Sequence, residues 1–496
     1  MPPVPSCRPL DCVLAPFRTQ SARSPGGLSV SSTSSTTPPT PTPTPTEKHP
    51  VDQTLPFGKL LGAGLQHVAA MYAGVVAPPL VVGIGVGLSQ AEIAFLMSAS
   101  LFAAGIATLL QTLGFWNIGA RLPFVNGVSF AGVAPMLAIA KAEGPEDALP
   151  VIYGAVIVAG VFGFLLAPWF CKLIRFFPPV VTGTVITLIG LSLLPVAFNW
   201  AQGGNPAAAD YGDVKYIGLA AVTLLITVVL RRVLTGFLKQ ISILLGLLVG
   251  TLIALPLGLA DFSAVADADV IGFPTPFHFG APQFAAAAIV SMMIVMIVSM
   301  TESTADVIAL GQIVDKPADE KTLAAALRAD GLGTALSPLF NGFAASAFAQ
   351  NVGLVAITKV RSRYVVAASG GILILLGLCP FLASVVSLVP QPVLGGVGLA
   401  LFGTVAASGI QTLAQAGLER GDNVLIVAIS LGVGVIPMAS EGFYHGFPES
   451  MRIILDSGIS TGCVAAVLLN LAFNHLGGGD KDDAPEGESA PAVPVH

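Results

Sequence analysis

Charged side chains are scarce in this chain. Lys, Arg, Asp and Glu together make up 10% of its 496 residues, whereas a soluble domain carries about 25%. Hydrophobic residues make up 54%, and the mean hydropathy is +0.82. This shortage of charge excludes an ordinary soluble globular protein. The sequence indicates an all-α polytopic protein that crosses a lipid bilayer many times.

Basic residues are also too few and too scattered to form a binding surface for phosphates. The formal net charge is −6, with 22 Lys and Arg against 28 Asp and Glu. The Lys and Arg residues lie in short segments between hydrophobic runs. Nucleic-acid binding requires a basic face or stripe, so we expect no nucleic-acid partner.

Metal sites and enzyme active sites have no sequence support either. The five cysteines, Cys7, Cys12, Cys171, Cys379 and Cys463, show neither metal-ligand spacing nor a disulfide-framework pattern. No HExxH-type pair and no nucleophile–base arrangement is present. We therefore expect no metal, no cofactor and no enzymatic activity.

The two ends of the chain differ from the hydrophobic middle. Residues 1–54 are rich in Ser, Thr and Pro and contain the run TTPPTPTPTPT. They lack the apolar core of a signal peptide. Residues 476–496 are mostly polar or small. Such segments cannot bury enough apolar surface to become ordered, so we expect two disordered cytoplasmic tails around a transporter domain at 55–475.

The middle of the chain contains about 14 hydrophobic segments, because a helical crossing needs about 20 apolar residues. They are 59–85, 90–113, 124–140, 150–170, 179–198, 215–232, 240–260, 284–312, 319–337, 345–359, 364–381, 388–411, 422–438 and 457–475. Four of them are too short or too rich in Gly and Pro for continuous helices, namely 124–140, 319–337, 345–359 and 422–438.

Loop charges orient these segments. With the N-terminus inside, the inner loops contain most of the basic residues, such as Arg231, Arg232 and Lys239, and the outer loops contain acids such as Asp210 and Asp213. This distribution follows the positive-inside rule. It predicts a multi-pass protein of the plasma membrane with both termini in the cytoplasm.

A weak internal repeat relates the two halves. FPPVVTGTV at 177–185 resembles VPQPVLGGV at 389–397, at an offset of 212 residues. Seven segments per repeat would invert the halves relative to each other in the membrane, which is common in transporters. The offset also brings the interrupted segments 124–140 and 345–359 into corresponding positions. Such a pair is typical of a binding site near the membrane midplane.

Adjacent amides lie in the second interrupted segment. Gln350 and Asn351 are surrounded by apolar and small residues, and Gly353 follows as a candidate bend. A buried amide is unfavourable unless it is hydrogen-bonded. A Gln side chain offers one acceptor and two donor hydrogens, which complements the amide edge of a planar heterocycle. The alternative is hydrogen bonding between helices.

Three acids are candidates for the same site. Glu302 and Asp306 have i, i+4 spacing, so one helix face would present both. Acids within a membrane usually face a cavity, although a helix that ends at residue 302 would leave both in water. Asp330 follows Arg328. It is either a buried acid that orders the site or half of a surface ion pair.

Polar and aromatic residues in other segments extend the candidate site. Gln66 and His67 lie in the first segment. The His can titrate near neutral pH or can hydrogen-bond between helices. Phe130 and Ala131 lie on the first interrupted segment and Phe348 on the second, where a flat ring could stack. Aromatic residues in apolar runs also serve simply as packing.

Four local signatures carry a resemblance to a known family. They are Gln66-His67, NGVSFAG at 126–132, TESTAD at 301–306 and QNVGLVAITK at 350–359. Together the chain resembles the nucleobase–ascorbate transporter family, also called nucleobase:cation symporter family 2, over 55–475. The residue types at positions 350 and 306, Gln350 and Asp306, resemble those of the xanthine/urate permease branch. The uracil branch typically has Glu and His at these two positions.

The resemblance implies a 7+7 inverted repeat divided into a core domain and a gate domain. Segments 1–4 and 8–11 would form the core, at about 55–176 and 284–381. Segments 5–7 and 12–14 would form the gate, at about 177–260 and 388–475. Short strands in segments 3 and 10 would cross at the substrate. Two chains would pair through their gate domains as a homodimer.

The resemblance also implies roles for single residues. Glu302 and Gln350 would bind a purine ring, and the backbone near Ala131 and Phe130 would complete the site, where Phe348 is the further candidate given above. Proton coupling or structural support would come from His67, Gln66, Asp306, Asp330, Asn351, Gly353 and Thr358. Lys359 has no assigned role, and Arg361 and Arg363 would anchor the segment at the cytoplasmic surface.

The function predicted from these features is import of xanthine or urate by proton symport. A permease for uracil or another nucleobase is one alternative. An anion carrier of the sulfate or bicarbonate type is another. An anion site should place helix N-termini and a basic residue at the ligand, and Glu302 argues against this.

Overall fold

Most of the hydrophobic middle of the chain is helical. The computed structural model describes residues 48–259, 271–419, 421–440 and 442–476. The predicted tail residues 1–47 and 477–496 lie outside this description. The helices before residue 260 are α1 (Phe57–Val86), α2 (Gln90–Leu113), α3 (Val133–Glu143), α4 (Ala148–Leu173), α5 (Pro179–Ala201), α6 (Val214–Val233), α7 (Gly236–Gln240) and α8 (Ser242–Ala254).

The helices after residue 271 follow a similar order of long and short elements. They are α9 (Ala286–Ile313), α10 (Glu320–Leu336), α11 (Ala349–Thr358), α12 (Arg363–Gly377), α13 (Pro380–Ser387), α14 (Gln391–Leu413), α15 (Gly421–Ala439), α16 (Glu449–Leu455) and α17 (Gly458–Asn470). The described residues also include two short strands, β1 (Asn126–Val128) and β2 (Ala345–Ala347).

Many of these helices are long and apolar enough to cross a membrane. Nine within the described ranges meet this requirement, and ten do if α12 and α13, which meet at 84°, form one bent crossing. The predicted polytopic, mostly helical membrane protein is therefore confirmed. Two segments predicted to be interrupted, 319–337 and 422–438, are instead continuous as α10 and α15. The glycines of α10 and α15, and Pro437 near the end of α15, do not end these helices.

Close helix packing depends on glycines at matching places. A Cβ atom at Gly105 of α2 would lie 2.6 Å from the Gly370 carbonyl oxygen of α12. A Cβ atom at Gly331 of α10 would lie 2.4 Å from the Phe164 nitrogen of α4. Small residues let helix backbones approach each other within a membrane. As a result, α2 packs closely against α12, and α10 packs closely against α4.

The strands lie in the interrupted segments 124–140 and 345–359, which occupy corresponding positions in the internal repeat. They are antiparallel, with Asn126 opposite Ala347 and Val128 opposite Ala345. The Ser129 nitrogen continues the pairing by donating to the Ala344 carbonyl at 2.8 Å. A single turn of 3-10 helix and then α3 follow β1, and α11 follows β2 almost directly. Each interrupted segment therefore consists of a strand and a half-length helix.

Part of the predicted N-terminal tail is packed against the membrane domain. Pro50–Asp52 forms a turn of 3-10 helix, and the Val51 side chain is fully buried against residues that include Phe124 and Val352. The Asp52 carboxylate pairs with Arg363 at 2.8 Å. The tail boundary at residue 54 stays a prediction, but residues 50–52 within that tail contact the membrane domain, because the apolar Val51 has a partner surface.

Candidate functional site

Helix α9 is hydrogen-bonded to both strands. Ser299 and Ser129 hydroxyls lie 3.2 Å apart, which joins α9 to the end of β1. The Ser303 hydroxyl accepts from the Ala347 nitrogen of β2 at 3.3 Å. Glu302 lies on the helical turn between these two serines. The strand pair therefore fixes the part of α9 that carries the first candidate acid.

Glu302 and Asp306 lie well inside α9. The helix continues to Ile313, so the alternative in which it ends at residue 302 was wrong. Both carboxylates are half-buried, and Ala305 and Ala309, on the same helix face, are exposed. A face with two acids cannot be in contact with lipid tails without a large penalty. This face therefore borders a water-accessible space.

The third acid, Asp330, is the centre of a buried hydrogen-bond network. Its side chain is 1% exposed, and its Oδ1 accepts from Asn126 Nδ2 at 2.5 Å and from Gln111 Nε2 at 2.7 Å. Arg328 instead donates to the Asn117 carbonyl, so the proposed surface ion pair is absent. Asp306 interacts electrostatically with both Glu302 and Asp330. The three acids thus form a connected series from α9 to α10.

The two adjacent amides have different environments. Gln350 is exposed on the first turn of α11, and its side chain makes no hydrogen bond to another described residue. Asn351 is 1% exposed, and its Nδ2 lies 3.1 Å from His67 Nδ1 and 3.0 Å from the His67 carbonyl oxygen. Gln350 is therefore free to bind a ligand, whereas Asn351 joins α11 to α1.

His67 is buried and Gln66 is half-buried. The carbonyl oxygen of His67 can only accept, so the Asn351 atom that faces it is the amide nitrogen. The same nitrogen donates to Nδ1, which must then be unprotonated. The ring proton of the neutral imidazole is therefore on Nε2. Gln66 makes no hydrogen bond to a described side chain.

The three aromatic and small residues proposed to surround a ring lie in two places. The Phe130 ring meets Phe402 of α14 edge to face, with centroids 6.1 Å apart, and Ala131 is buried. The Phe348 ring lies between α1 and β1. A Cβ atom at Gly74 would be 2.6 Å from it and one at Gly127 would be 2.5 Å from it. Phe348 therefore packs the strand onto α1.

The second interrupted segment, 345–359, differs from expectation at one residue. Gly353 lies within α11, and a Cβ atom there would meet nothing within 4 Å. The predicted bend at Gly353 was therefore wrong. The Thr358 hydroxyl donates to the Leu354 carbonyl at 2.8 Å, and the helix ends at Lys359, which has φ of 56°. The change of direction lies at Lys359 and before Ala349.

Sequence reasoning missed several residues of this site. Gln111 is a lone amide in an apolar helix, and Asn126 was part of a quoted motif without a role of its own. Ser299 and Ser303 flank Glu302, which was a usable signal, because hydroxyls beside an intramembrane acid usually satisfy nearby backbone groups. Among the described residues, no group of three or more His, Cys, Asp or Glu could hold a metal ion.

Comparisons with known proteins give the family of this chain. A family model described as the Permease family matches residues 58–442. The xanthine permease of Bacillus subtilis (strain 168) is 42% identical over 418 residues, which cover 84% of this chain and 94% of the relative. The uric acid transporter UacT of Escherichia coli (strain K12) is 43% identical over 428 residues, covering 86% and 88%.

Solved structures show the same fold at low sequence identity. The transmembrane domain of the cyanobacterial bicarbonate transporter BicA has a TM-score of 0.54 at 17% identity, covering 84% of this chain and all of that one. SLC26A9 has a TM-score of 0.56 at 14% identity, covering 83% and 65%. The family match and the relatives cover most of the chain. It therefore belongs to this permease family, the nucleobase–ascorbate transporters, and is a multi-pass membrane transporter rather than an enzyme.

Proposed function

We propose that this protein imports a purine nucleobase, xanthine or urate, by proton symport. The observation that carries the proposal is the hydrogen bond that joins α9 to β2 beside Glu302, three residues before the exposed Gln350. Ser303, next to Glu302, bonds to the backbone of β2, and Gln350 follows β2 by three residues. The exposed Gln350 amide and the half-buried Glu302 carboxylate would then border one site. Together they offer donors and acceptors to the polar edge of a planar heterocycle.

The names of the relatives support the choice of substrate. They include a xanthine permease and uric acid transporters at 41–43% identity, and this chain has Gln350 and Asp306 at the positions that resemble that branch. Phe130 and Ala131 lie at the start of α3 next to the strand crossing, where they would contact the ring. Phe348 would act through the position of its strand.

Domain movement is the proposed transport mechanism. The segments about 55–176 and 284–381 would form the core, and those at about 177–260 and 388–475 the gate. The 7+7 inverted repeat is supported by the matching glycine contacts of α2 with α12 and of α10 with α4. The Phe130–Phe402 contact joins core to gate beside the site. Substrate would become accessible to each side in turn as these surfaces separate.

Proton coupling would use the series of acids. Glu302 interacts electrostatically with Asp306, and Asp306 with Asp330. A proton on one acid therefore changes the energy of charging the next. His67 and Asn351 would support this arrangement from α1 and α11. The protein would reside in the plasma membrane as a homodimer, with both termini in the cytoplasm.

Uptake measurements test the proposal. Cells without purine permeases of their own would express the protein and receive radiolabelled xanthine or urate, with unlabelled urate, xanthine, hypoxanthine and uracil as competitors. We expect saturable uptake that a protonophore abolishes and that replacement of sodium leaves unchanged. Uptake that is indifferent to the protonophore would contradict proton coupling, and inhibition by uracil alone would contradict the purine assignment.

The same assay separates this function from anion transport. The likeness to a bicarbonate transporter concerns the fold alone. Helices α9 and α11 contain no Lys or Arg, whereas an anion site should include a base or converging helix N-termini. Uptake of labelled sulfate or bicarbonate in the absence of purine uptake would overturn the proposal.

A further inference from the structure

The Thr108 side chain of α2 hydrogen-bonds to both the backbone nitrogen and the backbone carbonyl of Asn126, the first residue of β1. We call this arrangement a grip. The Thr108 hydroxyl donates to the Asn126 carbonyl oxygen at 2.9 Å and accepts from the Asn126 nitrogen at 3.1 Å. Thr108 is fully buried. A hydroxyl is both donor and acceptor, so one side chain satisfies the two peptide groups of this residue that face α2.

Thr334 of α10 grips the first residue of β2 in the same way. Its hydroxyl accepts from the Ala345 nitrogen at 3.0 Å and donates to the Ala345 carbonyl oxygen at 3.3 Å. Thr334 is also fully buried. Each threonine comes three residues after a glycine that lets its helix pack closely, Gly105 or Gly331. The same local device therefore occurs once in each half of the chain.

The two grips are at opposite ends of the strand pair. Because β1 and β2 are antiparallel, with Asn126 opposite Ala347 and Val128 opposite Ala345, each strand is held at its own first residue. Gln111 lies one turn after Thr108, and Asp330 one turn before Thr334. The Gln111–Asp330 hydrogen bond joins the two helices between the grips. The strand pair is thus hydrogen-bonded at both ends to two helices that are themselves joined by a hydrogen bond.

Such short strands need an external constraint. Each has three residues, whereas even a longer isolated two-stranded pair is only marginally stable. A shift of one residue would exchange the two faces of each strand. It would move Phe130 and Ala131, which follow β1, and Gln350, which follows β2. The position of the binding site therefore depends on whatever fixes the strands.

We propose that Thr108 and Thr334 are positioning residues for substrate binding, which they serve by fixing β1 and β2 at their first residues. The inference rests on the proposed function, because it assumes that the residues after each strand contact a purine. Neither threonine touches the substrate. Removal of either hydroxyl should loosen one strand and so lower the affinity for purine. The amount of transporter in the membrane should change much less.

Conservative substitutions test the role of the hydroxyls. Thr108→Val and Thr334→Val keep the branched shape but lack the hydroxyl, and Thr108→Ser and Thr334→Ser keep it. Thr112→Val is the matched control, since Thr112 is equally buried on the same helix but donates to its own helix, to the Thr108 carbonyl, at 2.8 Å. The measurements are KM and maximal rate of labelled purine uptake, normalised to transporter in the membrane.

We expect KM to rise about tenfold in each valine variant, as loss of two hydrogen bonds implies. The serine variants and Thr112→Val should stay within about twofold of the parent protein, since they retain the grips. If a valine variant does not reach the membrane, Thr108→Cys replaces it, because a thiol is a weaker donor and acceptor than the serine hydroxyl. Its KM should exceed that of Thr108→Ser.

The outcomes separate this inference from the proposed function. Saturable purine uptake by the parent protein with an unchanged KM in Thr108→Val and Thr334→Val, or equal KM values for Thr108→Cys and Thr108→Ser, would overturn the positioning role alone. A fall in maximal rate at constant KM would do the same. Absence of purine uptake by the parent protein would instead overturn the proposed function.

Discussion

The Asn351 amide nitrogen faces two acceptors of His67, its ring Nδ1 at 3.1 Å and its carbonyl oxygen at 3.0 Å. This pair of contacts ties the half-length helix α11 to α1. It also holds His67 with its proton on Nε2, because Nδ1 accepts. A protonated His67 would place an N–H against the amide N–H. Charging of His67 therefore requires Asn351 to move.

Substitutions of His67 that mimic one ring nitrogen or the other should differ in the rate of purine uptake that they retain. An Asn side chain can place an oxygen near the position of Nδ1, whereas a Gln side chain reaches the position of Nε2. We expect His67→Asn to retain more purine uptake than His67→Gln, because it keeps the acceptor for Asn351. Initial uptake rates, normalised to membrane abundance, measure this. Equal rates in both variants would show that the Asn351 contact is dispensable.

Glu302 and Gln350 should each be essential for transport. Loss of either removes donors or acceptors that no neighbouring described side chain replaces, so we expect Glu302→Ala and Gln350→Ala to reduce uptake at least about a hundredfold. Gln312→Ala is the control, since Gln312 is also exposed on α9 but lies at its C-terminal end. Both variants should reach the membrane. Normal uptake by either one would remove that residue from the binding site.

Gly127 should not tolerate even a methyl group. A Cβ atom there would lie 2.5 Å from the Phe348 ring and 2.9 Å from Val75, so Gly127→Ala must displace the ring or the strand. We expect uptake to fall at least about tenfold. Gly353→Ala, where a Cβ atom meets nothing within 4 Å, should transport normally. Partial recovery in Gly127→Ala/Phe348→Leu would identify the ring as the obstacle, whereas unimpaired Gly127→Ala would contradict this packing.

The sequence predicted those parts of the site that depend on a single residue type in an unusual place. An acid in an apolar run, such as Glu302, is visible without any knowledge of the fold. The partners of Asp330 were not, because Gln111 is 219 positions away and only the packing of α2 against α10 brings them together. Strands of three residues are too short for a period of two to be recognised, so their position came from the family resemblance.

The stability of the protein should depend on the Asp330 side-chain oxygen rather than on its charge. One carboxylate oxygen accepts from both Gln111 and Asn126, and an Asn side chain still provides that oxygen. Asp330→Ala leaves two buried amide donors without an acceptor, which costs about 2–3 kcal/mol. We expect Asp330→Ala to lower the thermal stability of the purified protein much more than Asp330→Asn. Equal losses would mean that charge rather than hydrogen bonding matters here.

The segment before α1 should stabilise the end of the domain at which α1 begins. Val51 is fully buried, and Asp52 pairs with Arg363, whose side chain is 15% exposed, and with Lys316 at 3.5 Å. Val51→Asp places a charge against the cluster around Phe124, so we expect a large fall in the melting temperature of the purified protein. Asp52→Ala should have a smaller effect of about 1 kcal/mol.

Asp315→Asn is the matched control for these two variants. It breaks the Arg361–Asp315 pair on the same surface, where the Asp315 side chain is 70% exposed. Water and salt screen such a pair, so its loss should change stability by less than about 0.5 kcal/mol. If Val51→Asp melts at the same temperature as Asp315→Asn, residues 48–54 do not contribute to the fold. If the predicted order holds, the domain begins at this segment and not at α1.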